Sequence, residues 1–255
     1  MSAGELSPRP GAAPLGRMVV AHGRFELVQL VRNGEQLLLT VVIPAVLLVL
    51  FTRVRVVDLG PGSRVAFLVP GILALAVMST AFTAQAISTG FERRYGVLKR
   101  LGASPLPRGG LLAGKTAAVL VVEAGQVLLL CAVAVALGWR PIGANWLAAA
   151  AIAALGTAAF SGLALLMAGT LRAEGTLAAA NLVYLLLLLA GGIVIPLDRF
   201  GAAGRTVLQW LPSAALADGL RAALGGAAVP GRVVVVLLAW ALLAGTAAAR
   251  WFRWE

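Results

Sequence analysis

The chain has few of the residues from which most catalytic and metal sites are made. Among 255 residues there is one cysteine, Cys131, and one histidine, His22. A single cysteine inside an apolar run excludes a disulfide framework and a thiolate metal site. A single histidine excludes a multi-histidine metal site and any relay that needs a second imidazole. Charge is scarce as well. Asp, Glu, Lys and Arg make up 12% of the residues, about half the share of a typical soluble domain.

Aliphatic residues take their place. The chain is 60% hydrophobic with a mean hydropathy of +0.95, and several apolar runs reach or approach the ~20 residues needed to cross a bilayer as a helix. It therefore reads as an all-α integral membrane protein. The net charge of +11 would point to nucleic acid in a soluble protein. Here most basic residues flank apolar runs, so lipid headgroups and the positive-inside rule account for them and nucleic acid is not an expected partner.

Residues 1–16, rich in Pro, Gly and Ala, predict a disordered start with no signal-peptide core. Residues 17–36 mix Met18, Phe25, Val28, Leu30 and Val31 with Arg17, Arg24, Glu26, Arg32 and Glu35. That pattern fits an amphipathic helix in the membrane interface, or else a solvated helical arm. Six crossings follow, at 37–52, 65–88, 116–137, 146–171, 176–195 and 233–249. The remainder of 17–255 consists of the connections, chiefly a charged segment at 89–115 and a longer mixed segment at 196–232. Six crossings put both termini on one side. With that side cytoplasmic, 13 of the 21 basic residues face inward, the bias expected in a cell inner (plasma) membrane.

The eight residues that begin with Gly109 and end with Thr116, GGLLAGKT, match the phosphate-cradling pattern G-x-x-x-x-G-K-[ST]. A working phosphate loop follows a buried strand and opens a helix, so that backbone amides face the phosphates. Here Pro105-Leu106-Pro107-Arg108 precedes the match and resists being a central strand, and a membrane helix follows. The match is judged spurious, and no nucleotide, metal or other cofactor is expected in this chain.

The charged segment FERRYGVLKRLGASPLPRGGLLAGK, residues 91–115, holds six of the 21 basic residues between two apolar runs. Phe91, Tyr95, Leu98 and Leu101 fall at helical spacing and predict one short amphipathic helix over 91–101, which Pro105 and Pro107 end and stiffen. Such a helix fits a groove of a partner protein; the bland alternative is an interfacial helix that only satisfies the positive-inside rule.

This segment resembles the cytoplasmic loop of ABC-2 type transporter permeases, where an acidic residue, basic residues, an aromatic-Gly pair and an Arg-Leu-x-x-Ser-Pro-Leu run form a coupling region. GGIVIPLDRFGAAGRTVLQWLPSAALADGLRAAL, residues 191–224, more loosely resembles the same family's fifth-helix end with its re-entrant outer helices. Val97 stands where that family commonly has Thr, and Gly102 replaces a bulkier polar residue.

The resemblance implies the membrane subunit of an exporter, of the daunorubicin-resistance drug-efflux type. It would work as a homodimer or with a paralogous permease, and with a separate ATP-binding cassette ATPase that holds ATP and Mg. It also implies that Glu92, Arg93, Arg94, Tyr95, Gly96, Lys99, Arg100 and Leu101 meet that ATPase. Cargo would be a small lipophilic substrate such as an antibiotic, with export of a lipid-linked polysaccharide or lipid as the alternative. An intramembrane enzyme would need a convergent catalytic pair that Glu123 lacks.

Polar residues inside the crossings are the candidate translocation path: Thr80, Thr83, Gln85, Glu123, Asn181 and Tyr184. Each also reads as ordinary interhelical glue. Glu123, about 12 Å into the predicted third crossing, needs a partner, a proton or water. Gln126 is expected to share its partner.

Overall fold

The structure, a computed structural model, describes residues 11–54, 64–193 and 195–253, and among them every regular element is helical. The elements are α1 (Leu15–Arg32), α2 (Gly34–Arg53), α3 (Arg64–Met78), a π turn (Ser79–Ala84), α4 (Gln85–Arg94), α5 (Val97–Gly102) and α6 (Arg108–Ala136). After them come α7 (Trp146–Thr170), α8 (Ala173–Ala190), a 3-10 turn (Leu197–Phe200), α9 (Gly201–Leu208), α10 (Pro212–Leu224) and α11 (Gly231–Trp251). The helix from α3 to α4 is continuous over 31 residues, so six helices among the described residues are long and apolar enough to span a membrane. The fold is the expected all-α bundle of six spans.

Burial sets the order of layers. In the most apolar window of the α3–α4 helix 83% is buried, against 17% for α2 and 22% for α8. The second span is therefore the axis of the bundle, and the first and fifth lie at its edge. Small residues let the other helices close on one another. At Gly162 of α7 a Cβ would lie 2.8 Å from the backbone nitrogen of Gly245 in α11, and at Gly156 it would meet the Leu216 side chain of α10.

Several boundaries differ from the sequence reading. The first span is a full 20 residues because Asn33 caps it, its side chain accepting from the Gln36 amide. The second runs to Arg94 and the third begins at Arg108, both beyond the apolar runs. At 1.5 Å per residue, 31 and 29 residues make helices of about 46 and 44 Å, longer than a ~30 Å hydrocarbon core. Their charged ends therefore project past it.

The fifth span stops at Ala190, where Gly191 and Gly192 break it, Gly192 with φ +64°. The chain then packs backbone against Gly71 of α3. Arg221 of α10 donates to the carbonyls of Gly192 (2.6 Å) and Ile193 (3.0 Å). Irregular backbone inside a bundle needs such donors. Arg221 also meets Asp218, three residues before it in α10, at 3.6 Å, and Asp218 takes a second cation, Arg232, at 3.2 Å. α10 is buried along most of its length, whereas α9 has no buried residue. The 196–232 segment is thus part packed helix and part exposed helix. Of the start predicted as disordered over 1–16, residues 1–10 lie outside the described residues, as does most of the 53–64 loop, while 15 and 16 already belong to α1.

Candidate functional site

The charged stretch folds as two helices, not one. Gly96 adopts φ +73°, a left-handed turn that glycine takes without strain, and it separates the end of α4 from α5. The expected stripe is split accordingly. Phe91 stacks on Tyr95 at 6.2 Å, and Tyr95 is 71% exposed. Leu98 turns inward with Leu106, Leu111 and Phe252, flanked by Met18, Val19 and Leu101. This small second core holds α5 against α1 and the C-terminal end. Lys99 and Arg100 point outward.

The three charged residues ahead of the turn each bind inside the molecule. Arg94 pairs with Glu174 at the start of α8, and Arg93 donates to the Leu171 carbonyl at the end of α7. Glu92 accepts from Lys115 of α6 at 3.0 and 2.7 Å. Lys115 is buried and also donates to Glu26 of α1 at 2.8 Å. One ammonium therefore joins α1, α4 and α6.

The GGLLAGKT stretch departs from the loop that its pattern describes. Its first residue, Gly109, and its last, Thr116, both lie inside α6, and every residue between them is helical. Pro107, extended, caps that helix, and no strand leads into it among the described residues. Gly109 is exposed, and a Cβ there would meet nothing within 4 Å. Thr116 is half-buried, one residue past Lys115. The other two glycines make the junction fit. A Cβ on Gly114 would come within 2.7 Å of His22 and 3.3 Å of the Gly23 nitrogen, and one on Gly110 within 3.3 Å of Val19. This glycine face lets α1 approach α6 closely enough for Glu26 to reach Lys115. His22 is buried beside them, its Nε2 3.5 Å from Glu26. Burial, helped by the Lys115 charge and opposed by Glu92, lowers its pKa to about 4, so the ring is neutral at pH 7.

The polar residues of the crossings divide into three places. Thr83, Asn181 and Tyr184 come together in a groove of about 640 Å³ between α2, the π turn and α8, with Ser79 and Gln36 beside them. Thr80 and Gln85 face the interior. Thr80 donates to Gln126 (3.0 Å), whose amide donates to Thr40 of α2 (3.0 Å), and Gln85 accepts from Ser161 of α7 (2.7 Å). These are interhelical ties. Glu123 accepts from Thr157 of α7, so it does not share Gln126's partners as the sequence reading expected. It lies 15 residues from the start of α6, near mid-helix.

Sequence reasoning missed the Glu26–Lys115–Glu92 junction. The available signal was a lysine opening a long apolar helix opposite an acid in an amphipathic one.

A family model described as ABC-2 type transporter matches residues 19–224, from α1 to the end of α10. No curated protein matches the chain.

Proposed function

The chain belongs to the ABC-2 type transporter family, a family of multi-pass transporter membrane subunits, and from that membership we propose that it is the permease of an exporter driven by a separate ATP-binding cassette subunit. The observation that carries the coupling reading is the build of the charged end. The end of α4 presents Tyr95 outward and α5 presents Lys99 and Arg100, while Glu92, Arg93 and Arg94 tie the root of α5 to α6, α7 and α8. A short helix held this way transmits a push to four spans at once. We assign the ATPase contact to Tyr95, Lys99 and Arg100, with Gly96 as the turn that presents them. Glu92, Arg93, Arg94 and Leu101 keep that surface rigid.

The push reaches the groove along one helix. The π turn Ser79–Ala84 lies between the driven end and the membrane-buried half of the second span, and Thr83 of that turn lines the groove. π turns recur where helices deform for function. Thr83, Asn181 and Tyr184 are the cargo contacts in this reading, and a second copy or a paralogous permease completes the path. About 640 Å³ falls within the usual range of small-molecule sites. With 6% aromatic residues in the chain it favours a lipophilic drug-like cargo over a lipid-linked polymer. ATP and Mg are held by the partner, and both termini are cytoplasmic, in the plasma membrane.

Co-purification tests the pairing. The tagged chain should bring down an ATP-binding subunit, and Tyr95→Ala with Arg100→Glu should abolish capture while the permease still unfolds at its normal temperature. Undiminished capture by that variant removes α5 as the contact.

A further inference from the structure

Glu123 lines a second cavity, of about 380 Å³, that shares no residue with the groove. It lies between α6 and α7 and is floored by Leu220 and Leu224 of α10. Its wall on α7 is Ala149, Ala150, Ala153 and Ala154. Apart from the Trp146 indole, every other lining side chain is aliphatic. Leu128, 73% exposed, and Trp146, 49% exposed, stand at its rim, so the cavity opens sideways toward lipid.

The carboxylate is 4% exposed. Its Oε2 accepts from the Thr157 hydroxyl, whose oxygen also lies 2.9 Å from the Ala153 carbonyl. Its Oε1 has no partner. The cations of the helices around it are committed elsewhere, Lys115 to Glu26 and Glu92, and Arg221 to Asp218 and the Gly192 and Ile193 carbonyls. An acid buried in an apolar membrane pocket with a free oxygen needs a cation or a proton from outside the chain.

We propose that this cavity binds a lipophilic ammonium ion that enters from the bilayer, its N–H donating to the Glu123 carboxylate as the side chain turns its buried, unpartnered Oε1 into the cavity, and its alkyl part lying along the alanine wall. Depth selects the source. Glu123 is 15 residues from one end of α6 and 13 from the other, and because that helix overruns the ~30 Å hydrocarbon core the acid lies on the order of 12 Å inside it. The amine of a phospholipid stays at the interface and cannot reach it without dragging its phosphate into hydrocarbon. A free alkylamine can. The rim indole adds a cation–π face on the way in.

The site stands apart from the exporter reading, and its test needs no ATPase. The purified chain is placed in phosphatidylcholine nanodiscs and titrated with radiolabelled dodecylamine. Saturable binding is expected. It should weaken at least tenfold in Glu123→Gln, vanish in Ala153→Phe (which fills the cavity and keeps the acid), and resist displacement by dodecanol. Adding phosphatidylethanolamine should leave it unchanged. Binding within threefold of the native value in Glu123→Gln, equal displacement by dodecanol, or competition by phosphatidylethanolamine overturns the proposal. If the Gln variant unfolds, Ala153→Phe decides alone: retained binding there also overturns it.

Discussion

Replacing Lys115 by methionine removes the one cation that holds α1, α4 and α6 together. The ammonium is 3% exposed, 2.8 Å from Glu26 and 2.7 Å from Glu92. Because both carboxylates touch the same nitrogen, their facing oxygens are at most about 5.5 Å apart. At an effective dielectric of about 20 that separation gives roughly 3 kcal/mol of repulsion once the cation is gone. Breaking a buried pair by removing one partner typically costs about 3–5 kcal/mol, so the two routes agree. A loss of that size lowers the unfolding midpoint of the detergent-solubilised protein by on the order of 10 °C. The triple variant Lys115→Met, Glu26→Gln, Glu92→Gln should recover most of it, since the carboxylates no longer repel. A midpoint for Lys115→Met within 1 °C of native, or a triple variant no better than the single one, would show that the junction does not hold these helices.

Three further outcomes follow from the same geometry. The Arg94–Glu174 pair is solvent-exposed on both sides, at 53% and 66%, so Glu174→Ala should leave the unfolding midpoint almost unchanged; a loss like that of Lys115→Met contradicts the distinction drawn between the two ties. Gly162→Leu places side-chain atoms where a Cβ alone already lies 2.8 Å from the Gly245 backbone, and should destabilise by about 1–3 kcal/mol or more, whereas the same change at Gly175, where a Cβ meets nothing within 4 Å, should not. His22, neutral in the fold with its pKa lowered to about 4, binds its proton more readily when unfolded. Its contribution is therefore full above pH 6.5 and lost as pH falls toward 4, about 2 kcal/mol by pH 5. Glu26 and Glu92 face the same junction, so the check is the difference in pH profile between native protein and His22→Asn, and identical profiles refute it.

The membrane class, the number of spans and the all-helical fold were legible because apolar run length is a one-dimensional property. The ends of the second and third spans were not. Both helices continue through charged residues, and hydropathy stops at the hydrocarbon edge while the backbone hydrogen bonds of α4 and α6 go on. The flanks of the GGLLAGKT stretch already argued against a phosphate loop, but its use as a glycine face for α1 depends on a helix almost ninety residues away in sequence. Periodicity over 91–101 suggested a single helix, since a glycine in a helical pattern gives no sign of whether its φ will be positive; Gly96 shows that it was the decisive residue. Of the polar path candidates, Thr83, Asn181 and Tyr184 meet because α2, the π turn and α8 do. Nothing local distinguishes them from Thr80 and Gln85, which sit on the same helix as Thr83 and face inward.

The central claim is that ATP hydrolysis by a separate subunit drives cargo across this permease through α5. Its most direct test is transport in proteoliposomes containing the chain and the ATP-binding subunit that co-purifies with it, with a fluorescent lipophilic drug as cargo. The native pair should accumulate drug in an ATP-dependent manner, and Tyr95→Ala with Arg100→Glu should abolish accumulation while the permease remains folded. ATP-dependent accumulation at the native rate by that variant would contradict the claim.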